Sequence, residues 1–428
     1  MKKIRSLRGM HDQLPEDNIY WWNKIEKIIK NILINYCFHE IRLPILEKTI
    51  LFKRSINNNI DIINKEMYIF NDKKGCSISL RPEATASCVR AIIQNNLLSN
   101  NILKIWYFGP MFRYERPQKG RFRQFHQFGA EIYGFKGSNI ELEILLLNSK
   151  IWNKLKINDY VTLEINSIGN IKERFIFEKK LKKFFKKNII FVNNFFKKKI
   201  NNNYFRILDS KNKKIKKLLI NAPHLSNFLN KKSIKNFNKI CFLLKKFNIP
   251  YIINNNLIRG LDYYNNIVFE WKTKKLGTQN TICSGGRYDN LFIQLGYKKI
   301  PSLGFAIGME RLILLKKNIK NIKKKIKINI FIYFSKIKNQ FLAIKLSEKI
   351  RFFFPKLKIM FSINNINKKI NNYISKFDID LIFYIGNKER KNKYINIKIC
   401  KINKKKIIFK KFIFSFLNNF FYNKKIIN

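Results

Sequence analysis

The sequence predicts an α+β protein with a helical insertion and a C-terminal α/β domain, and three observations lead to this fold class. Strand-like alternating runs are interleaved with helix-like runs in residues 1–171 and again in residues 251–322. Residues 172–250 are amphipathic segments rich in Lys, Phe and Asn, with few turn signals, which favours a mostly helical insertion. Residues 326–428 alternate strand and helix patterns, which is typical of a small α/β domain with a mainly parallel sheet.

The N-terminal elements follow from residue spacing. After the turn signals of QLPEDN, apolar residues recur at helical spacing, and they are Trp21, Ile25, Ile28, Ile29, Ile32 and Leu33. Asp17 is a suitable cap for that helix. The run CFHEIRLPIL is strand-like but is broken by Pro44, which suits an edge or interface strand. SISLRPEATASCVRAII then predicts a strand, a turn at Pro82 and a helix, and NIELEILLLNSKIWNKL predicts a further helix.

The later segments follow the same rules. The insertion contains KKLKKFFKKNIIFVNNFFKKK, which suits a membrane-surface helix, although a solvated helix in a Lys-rich protein is the favoured interpretation. The run KKNIKNIKKKIK predicts a linker. Beyond it, INIFIYF, LKIMFSI, LIFYIG and YINIKIC predict strands, and FLAIKLSEKIRFFF and INNYISKF predict helices.

Composition limits the classes of function. A chain of 428 residues that is 46% hydrophobic and 14% aromatic is not intrinsically disordered. Its 87 basic and 27 acidic residues give a net charge of +60, which attracts polyanions and nucleic acid first of all. Most of the excess is Lys, which occurs together with Asn, Ile and Phe, and these residues share A- and T-rich codons. Genome composition therefore accounts for much of the charge, and locally placed arginines carry more weight.

Cysteine and histidine spacing argues against a structural metal. The six cysteines and four histidines are scattered singly, without the paired spacing of a zinc or redox motif, which indicates a reducing compartment. The N-terminal MKKIRSLRGMHDQLPED begins basic but develops no apolar core, and no apolar run approaches the length of a membrane span. We therefore expect a soluble, cytoplasmic protein with no membrane contact.

The segment GPMFRYERPQKGRFRQFHQFGAEIYG, residues 109–134, predicts two strands joined by a basic loop. Alternation puts Gln127 and Glu131 on one face of the second arm, with a glycine between them that leaves room. On the first arm, Arg113 and Glu115 share a face. If the arms pair antiparallel, this face suits a ligand with anionic and cationic groups, such as an amino acid joined to phosphate. Ordinary surface charge is the alternative.

Arginines are the candidates for phosphate binding, because the sequence has neither a Walker-type loop nor a G-x-G-x-x-G after a strand. Arg259, in LIRGLDYYNNIVFEW, precedes a glycine, two tyrosines and a strand. Arg311, in PSLGFAIGMERLILL, begins a helix after two glycines that allow close backbone approach. Glu83 and Thr85, in RPEATASCVRA, lie at a strand-to-helix turn, where helix capping is the alternative role. Tyr288, in SGGRYDNL, follows a glycine pair, where a simple turn is the alternative.

These motifs, in this order, resemble those of bacterial-type histidyl-tRNA synthetases, and the resemblance covers essentially the whole chain. The matching segments are LRGMHDQLPED, FHEIRLPILEKTILFKR, SLRPEATASCVRA, GPMFRYERPQKGRFRQFHQFGAEIYG, LIRGLDYYNNIVFEW, SGGRYDNL and GFAIGMERLILL. They contain the three motifs of class II aminoacyl-tRNA synthetases and the Arg-Gly-Leu-Asp-Tyr-Tyr signature of the histidine-specific enzymes. The resemblance implies a catalytic domain with an antiparallel sheet flanked by helices (1–171 and 251–322), a helical insertion (172–250) and an anticodon-binding α/β domain (326–428).

The resemblance also implies an activity. Such an enzyme joins L-histidine to ATP, with Mg²⁺, as histidyl-adenylate and passes the histidyl group to the 3′ end of tRNA(His). Arg113 would bind the α-phosphate and the reacting carboxylate, and Arg259 would face it where related enzymes use a metal ion. Arg311 would bind the outer phosphates and adenine, and Glu115 would also lie in the ATP site. The segment FHEIRLPILEKTILFKRSI resembles the class II dimer motif and implies a homodimer.

The remaining implied site residues bind histidine and tRNA. The histidine-binding set is Glu83, Ala84, Thr85, Gln127, Glu131, Tyr263, Tyr264 and Tyr288. Glu83, Thr85 and Gln127 would hold the α-amino group. Glu131 and Tyr264 would bond the two imidazole nitrogens, and the other two tyrosines would line the pocket. The loop residues implied for the acceptor end of tRNA are Arg116, Gln118, Lys119, Arg121 and Arg123.

One departure and two rival functions remain. Ala84 stands where bacterial relatives usually have glycine, and its methyl group would crowd the amino group slightly. One rival is a catalytically inactive, histidine-binding regulatory paralogue, which typically lacks the terminal domain and either Arg259 or the motif arginines; this chain keeps all of them. The other is a basic RNA-binding protein, which explains the charge but not the pocket residues. Histidine-dependent exchange of pyrophosphate into ATP separates the three.

Overall fold

The computed structural model describes residues 3–14, 19–55, 65–98, 102–187, 217–261, 263–319, 326–362 and 377–422. The chain forms two compact units, Met1–Asn321 and Ile322–Asn428. Within the first unit, the boundaries expected between a catalytic domain and an insertion stay a prediction.

The first unit is built on an eight-stranded sheet and a three-stranded sheet. Their strands, in chain order, are β1 (His39–Glu40), β2 (Leu46–Lys48), β3 (Ile69–Asn71), β4 (Ser77–Leu80), β5 (Leu103–Phe112), β6 (Gln124–Tyr133), β7 (Thr162–Ser167), β8 (Tyr251–Ile253), β9 (Asn265–Lys272), β10 (Thr281–Arg287) and β11 (Ser302–Gly308). The large sheet has the order β1-β5-β6-β11-β10-β9-β7-β8, and the small one has the order β2-β4-β3. Only the outer pairs β1–β5 and β7–β8 of the large sheet are parallel among its described pairings.

Helices pack against the large sheet. The helices of this unit are α1 (Ile19–Asn35), α2 (Thr49–Ser55), α3 (Thr85–Gln94), α4 (Ser138–Leu155), α5 (Ile171–Lys187), α6 (Lys231–Lys246), α7 (Leu291–Gln294) and α8 (Met309–Ile319). The predicted apolar face of β6, with Phe128, Ala130 and Ile132, shares one hydrophobic cluster with α1, α4 and α8. The predicted helices at α1, α3 and α4 are confirmed, while the proposed cap Asp17 lies outside the described residues.

The described part of the predicted insertion is helical. It contains α5, a 3₁₀ turn at Leu225–Phe228 and α6, while residues 188–216 lie outside the described ranges. Leu181 and Phe185 of α5 are buried in a cluster of the first unit, so this apolar stripe packs against protein. That burial favours the solvated-helix interpretation over a membrane-surface helix for this part of the run.

The second unit is an α/β fold with a mixed sheet. Its elements are β12 (Ile326–Phe334), α9 (Gln340–Phe353), β13 (Ile359–Phe361), β14 (Phe377–Ile385), α10 (Asn387–Lys391), β15 (Tyr394–Ile399), β16 (Lys404–Phe409) and α11 (Ile413–Tyr422). The strand order is β13-β12-β14-β15-β16. The four predicted strands and the first predicted helix are confirmed, and most of INNYISKF lies outside the described residues.

Two expectations for this region are wrong. The sheet is not mainly parallel, because β14–β15 and β15–β16 are antiparallel. A short connection with Asn403 at φ 50° joins β15 to β16, and such a connection permits only antiparallel pairing. The linker expected at KKNIKNIKKKIK is also shorter, because α8 continues through Ile319 and β12 begins at Ile326.

Buried Arg81 ties together three segments of the first unit. Its guanidinium group donates to Pro110 O at 2.9 Å, to Leu43 O at 2.9 Å and to Pro44 O at 3.2 Å. Gly109 gives the group room, because a methyl group there would overlap Arg81 Nη2. The strand-like segment before β2, strand β5 and the turn after β4 are thereby fixed to one another.

Arg81→Met should lower the free energy of unfolding by about 3 kcal/mol or more, because it leaves buried carbonyl groups without donors. Urea unfolding followed by circular dichroism measures this. The matched control is Arg42→Met, since the side chain of Arg42 is 86% exposed. The control should leave the midpoint nearly unchanged, and an equal shift in the two variants would contradict the role of Arg81.

Candidate active site

Strand β6 pairs with β5 on one side and with β11 on the other. Gln127 faces Gly109 and Gly308 across these pairings, and Glu131 faces Gly304. A methyl group added at Gly304 would overlap the Glu131 carboxyl group, so this glycine lets the carboxyl group lie against the sheet. Gln127 and Glu131 share one face of β6, as the alternation predicts.

Glu131 is buried and is held by two hydroxyl groups. Thr85 Oγ1 donates to Glu131 Oε1 at 2.8 Å, and the Tyr288 hydroxyl group donates to Glu131 Oε2. Burial raises the pKa of Glu131 to about 8, although these two hydrogen bonds act in the opposite direction. At neutral pH the carboxyl group is therefore mostly protonated, so it can donate a hydrogen bond as well as accept others.

The expectation that the glycine between Gln127 and Glu131 leaves open space is wrong. Tyr107 of β5 pairs with Gly129, and its phenol ring covers the glycine so closely that an added methyl group would overlap the ring. The Tyr107 side chain also hydrogen-bonds to Thr85, and burial raises the pKa of Tyr107 well above its usual value. Sequence reasoning missed Tyr107 because it precedes the motif and looks like an ordinary strand aromatic.

Glu83 caps helix α3. Its carboxylate accepts from Thr85 N at 2.6 Å and from Ala86 N at 2.9 Å, which is the capping alternative considered for this turn. Burial raises the pKa of Glu83, and the two backbone hydrogen bonds oppose that shift. Ala84 is fully buried at φ −117° and ψ −9°, a right-handed conformation that alanine adopts without strain. The backbone thus accommodates an alanine at this position without strain.

Three tyrosines form a buried aromatic wall beside Glu131. The ring centroids of Tyr263 and Tyr264 are 4.8 Å apart, and those of Tyr263 and Tyr288 are 5.7 Å apart. Burial raises the pKa of all three, so each keeps its hydroxyl hydrogen at neutral pH. Tyr288 contacts the Glu131 carboxyl group directly, beyond the lining role that was expected for it.

Arg113 lies just beyond the end of β5, not within the strand as the alternation predicts. Its backbone N donates to Arg123 O at 2.9 Å, and Glu115 N then turns back to Arg113 O at 2.7 Å. This turn ends the alternation, so the expectation that Arg113 and Glu115 share a strand face is wrong. Arg113 Nε donates to Pro82 O at 2.9 Å, and its guanidinium carbon lies 5.2 Å from the Phe125 ring centroid. Burial lowers the pKa of Arg113.

Arg259 is held from two sides. Its guanidinium group donates to Glu270 Oε1, and Arg259 Nη2 donates to Ser284 Oγ at 2.8 Å. The guanidinium carbon lies 5.5 Å from the Tyr264 ring centroid. Burial alone lowers the pKa of Arg259, but Glu270 and the two neighbouring tyrosines outweigh it and raise the pKa overall. The residue therefore carries its positive charge at the boundary between the tyrosine wall and the arginines.

Arg311 begins α8 and reaches across to the basic loop. Its guanidinium group donates to Gly120 O at 2.9 Å, to Thr281 O at 2.8 Å and to Gln279 Oε1 at 3.1 Å. Burial, followed by repulsion from Arg113 and Arg121, lowers the pKa of Arg311 to about 10, so the group stays charged at neutral pH.

One cleft of about 240 Å³ is lined by Arg113, Arg259 and Arg311 together with Gln127 and Glu115. The cleft therefore collects the three arginines that sequence reasoning found in separate motifs. Residues that sequence reasoning missed also line it, and they include Phe125, Glu270, Thr281 and Ser284. Glu270 could have been found from the sequence, because it is a carboxylate within the otherwise apolar strand IVFEW. Phe125, Thr281 and Ser284 do not stand out from their neighbours in this way.

The predicted tRNA loop divides into two groups. Arg116, Gln118 and Lys119 are exposed. Arg121 instead turns inward, lines the cleft and pairs with Glu115. Arg123 stacks on Tyr114, with its guanidinium carbon 3.7 Å from the ring centroid. The structure thus presents three of the five loop residues to solvent and packs two against the protein.

No group of three or more His, Cys, Asp and Glu side chains suited to a metal ion occurs in the described ranges. Among the helices of the same ranges, none has both the length and the apolar character needed to cross a bilayer.

Comparison with known proteins gives consistent matches. The family model for histidyl-tRNA synthetase matches residues 9–312. A histidine–tRNA ligase of Buchnera aphidicola subsp. Schizaphis graminum is 54% identical over 351 residues, which is 82% of this chain and 82% of that protein. One from Blochmanniella floridana is 50% identical, over 81% of each chain. The crystal structure of apo S. aureus histidyl-tRNA synthetase matches with a TM-score of 0.78 and 29% identity, covering 97% of this chain and 99% of that one.

The mostly antiparallel sheet flanked by helices is consistent with the fold of the class II aminoacyl-tRNA synthetases, and these matches support the same class. Within that class, the chain belongs to the histidyl-tRNA synthetase family. The predicted fold class and the predicted activity, an ATP-dependent histidine–tRNA ligase, are confirmed by these relatives. The relatives give no support to an inactive regulatory paralogue.

Glu131→Gln should change how stability depends on pH. An ordinary Glu has a pKa of 4.5, whereas that of Glu131 is about 8. Between these values the folded state binds one more proton than the unfolded state, so this group's contribution to stability falls as pH rises. The glutamine variant lacks that loss. Its unfolding free energy relative to wild type should therefore rise by up to about 4 kcal/mol between about pH 4.5 and about pH 8.5.

Thermal and urea unfolding at several pH values measure this difference. Glu143→Gln is the matched control, because Glu143 is a part-exposed carboxylate paired with Lys104. The control should show no comparable rise with pH. A difference for Glu131→Gln that stays constant across the range would contradict a buried, protonated carboxyl group.

Proposed function

We propose that the arginine-lined cleft and the adjoining tyrosine wall are where histidine and ATP react to give histidyl-adenylate and pyrophosphate. The observation that carries this proposal is the convergence of Arg113, Arg259 and Arg311 on one cleft beside the buried Glu131. The histidyl group then passes to the terminal adenosine of tRNA(His). The protein acts in the cytoplasm, where tRNA is charged.

The arginines supply the electrostatic part of the reaction. Arg113 and Arg259 grip the α-phosphate from two sides, and Arg113 also holds the reacting carboxylate of histidine. Arg311 binds the outer phosphates and adenine, with the Phe125 ring available for stacking. Attack on the α-phosphorus spreads negative charge over its oxygens, and fixed guanidinium groups stabilise that charge without an acid–base catalyst. Their bonds to protein carbonyl groups and Glu270 support such a fixed arrangement.

The tyrosine wall and Glu131 select histidine. A neutral imidazole has one donor and one acceptor nitrogen, and Glu131 and Tyr264 bond one each. Glu83, Thr85 and Gln127 hold the α-amino group. Substrates without ring nitrogens leave the buried carboxyl and hydroxyl groups unpaired, which penalises their binding.

Mg²⁺ fits this cleft as a partner of the ATP phosphates. The ion is usually held by one or two carboxylates plus phosphates, and it keeps several waters. Of the cleft carboxylates, Glu270 is bonded through both oxygens to Arg259 and Thr281, and Glu310 accepts from His126. Glu115 pairs with Arg121 through one oxygen, Oε2, so its other oxygen is the one that would hold the ion. When bound, Mg²⁺ neutralises charge on the outer phosphates.

The exposed loop and the second unit are assigned to tRNA. Arg116, Gln118 and Lys119 contact the acceptor end, since their side chains are exposed. Arg121 and Arg123 belong to the same assignment but reach tRNA only after leaving Glu115 and Tyr114. Residues 172–250 form the helical insertion, and residues 326–428 bind the anticodon.

The chain acts as a homodimer through the segment FHEIRLPILEKTILFKRSI. Apolar side chains of this segment are exposed, with Ile45 at 42%, Leu46 at 45% and Ile50 at 50%. A groove of about 480 Å³ runs beside them and is lined by Ile50, Leu51 and Ile93. Contiguous exposed apolar surface of this kind is typical of a protein–protein interface.

Arg259→Ala should lower the rate of histidine-dependent pyrophosphate exchange by about 100- to 1000-fold, because it removes a fixed cation from the developing phosphate charge. The exchange assay with labelled pyrophosphate measures this. Arg351→Ala is the control, since Arg351 pairs with Glu348 in the second unit. Near-normal exchange by a folded Arg259→Ala variant would remove Arg259 from the mechanism, and absence of exchange in the wild type would contradict the proposed activity.

Light scattering at micromolar concentration should give the mass of a dimer. Ile50→Asp should shift it towards monomer, because a charge at the interface is left unpaired. Ile171→Asp is the control, since Ile171 of α5 is similarly exposed, at 56%, but lies outside the segment. A fully active wild-type monomer would contradict the dimer.

A further inference from the structure

Glu310, which precedes Arg311 on α8, bonds to the neighbouring strand β6. Its carboxylate oxygens lie 2.9 and 3.0 Å from His126 N, and Oε1 also lies 3.0 Å from His126 Nδ1. Because a carboxylate accepts hydrogen bonds, the tautomer with hydrogen on Nδ1 is the one that fits. Glu310 and His126 thus meet through the backbone and the side chain of the histidine at once.

The end of strand β11 explains this contact. The β6–β11 ladder ends where Gly308 faces Gln127, and the chain turns into α8 at Met309. The next N–H along β6, that of His126, therefore has no strand carbonyl from β11 to accept it. The Glu310 carboxylate takes that place, at the N-terminal end of a helix, where negative charge is favourable.

The imidazole ring in turn is fixed by packing. Trp22 of α1 lies edge-on to the His126 ring, with centroids 4.9 Å apart and an interplanar angle of 90°. Since α1 belongs to the same hydrophobic cluster as β6 and α8, the ring has little freedom to move away from Glu310. Glu310 thus joins α8 to β6 directly, and to α1 through the His126 ring.

We propose that Glu310 is a positioning residue for ATP binding, which acts by holding the first turn of α8 so that Arg311 points into the cleft. This inference rests on the proposed function of Arg311. Arg311 and Glu310 are adjacent but bond to different segments. Arg311 donates to the carbonyl oxygens of Gly120 and Thr281, whereas Glu310 accepts from His126. The buried Met309 holds the start of the helix in the core, and the Glu310 contact adds the polar bonds that set this turn relative to β6.

A direct role for Glu310 on substrate is less consistent with the geometry. Glu310 lines the arginine cleft, but both its oxygens point to His126 N. A carboxylate aimed at ATP would also repel the phosphates. The contacts therefore indicate an effect through Arg311.

The test measures ATP affinity by calorimetry, together with the KM values for ATP and histidine in pyrophosphate exchange. Glu310→Ala should weaken ATP binding by about tenfold or more, because a charged hydrogen-bond acceptor is lost, and should leave the KM for histidine nearly unchanged. Glu310→Gln should have a smaller effect in the same direction, since its amide oxygen still accepts from His126 N. If Glu310→Ala does not fold, Glu310→Gln alone decides the question.

A double-mutant cycle distinguishes positioning from a general loss of stability. If Glu310 acts through Arg311, adding Glu310→Ala to Arg311→Ala should change ATP affinity by less than about twofold. Glu143→Gln should change none of these constants, because Glu143 lies on α4 and pairs with Lys104 of β5. Unchanged ATP affinity in folded Glu310 variants, or full additivity with Arg311→Ala, would overturn the proposal. Absence of exchange in the wild type would instead contradict the proposed function, and calorimetry with ATP would still test Glu310.

Discussion

The burial of the Glu131 carboxyl group against Gly304 is the constraint on which the site depends. Only a residue without a side chain at that position lets the carboxyl group lie inside the sheet, between Thr85 and Tyr288. Burial then raises the pKa of Glu131 to about 8, which gives a group that both donates and accepts at neutral pH. The same antiparallel pairing that sets Gly304 opposite Glu131 also aligns Gln127 with Gly308, just before Arg311.

The cleft beside this pocket carries an excess of positive charge, because it is lined by four arginines, Arg113, Arg121, Arg259 and Arg311, and by three glutamates, Glu115, Glu270 and Glu310. Burial lowers the pKa of Arg113 and Arg311, and the two also repel each other. Arg259 is compensated by Glu270, but the other two bond mainly to neutral carbonyl groups. Under the function proposed above, a bound triphosphate would relieve this repulsion, because the positive charge of the cleft is complementary to phosphate. This local charge is more informative than the net charge of +60, most of which comes from lysines.

Sequence patterns predicted the parts of the site that depend on strand alternation and motif order. The face shared by Gln127 and Glu131 follows from a period of two, and the motif arginines follow from the resemblance. Contacts between distant segments could not be predicted in this way. Tyr107 covers Gly129 only because β5 and β6 pair in one register, and Glu310 bonds His126 only because β11 ends at Gly308. In the second unit, the short turn before β16 makes the pairing of β15 and β16 antiparallel and the sheet therefore mixed. This turn lies in a Lys-rich run without strong turn residues, so the sequence did not predict it.

The most direct test of the central claim is the KM for histidine of Glu131→Gln in pyrophosphate exchange at neutral pH. Both carboxyl oxygens accept hydroxyl donors, whereas an amide has only one accepting oxygen. In the glutamine variant the hydroxyl group of Thr85 or Tyr288 therefore loses its acceptor, and the side chain loses the orientation in which it bonds the imidazole ring. We expect the KM for histidine to rise about tenfold or more, while that for ATP changes little. An unaltered KM for histidine would contradict the role of Glu131 as the residue that recognises the imidazole ring.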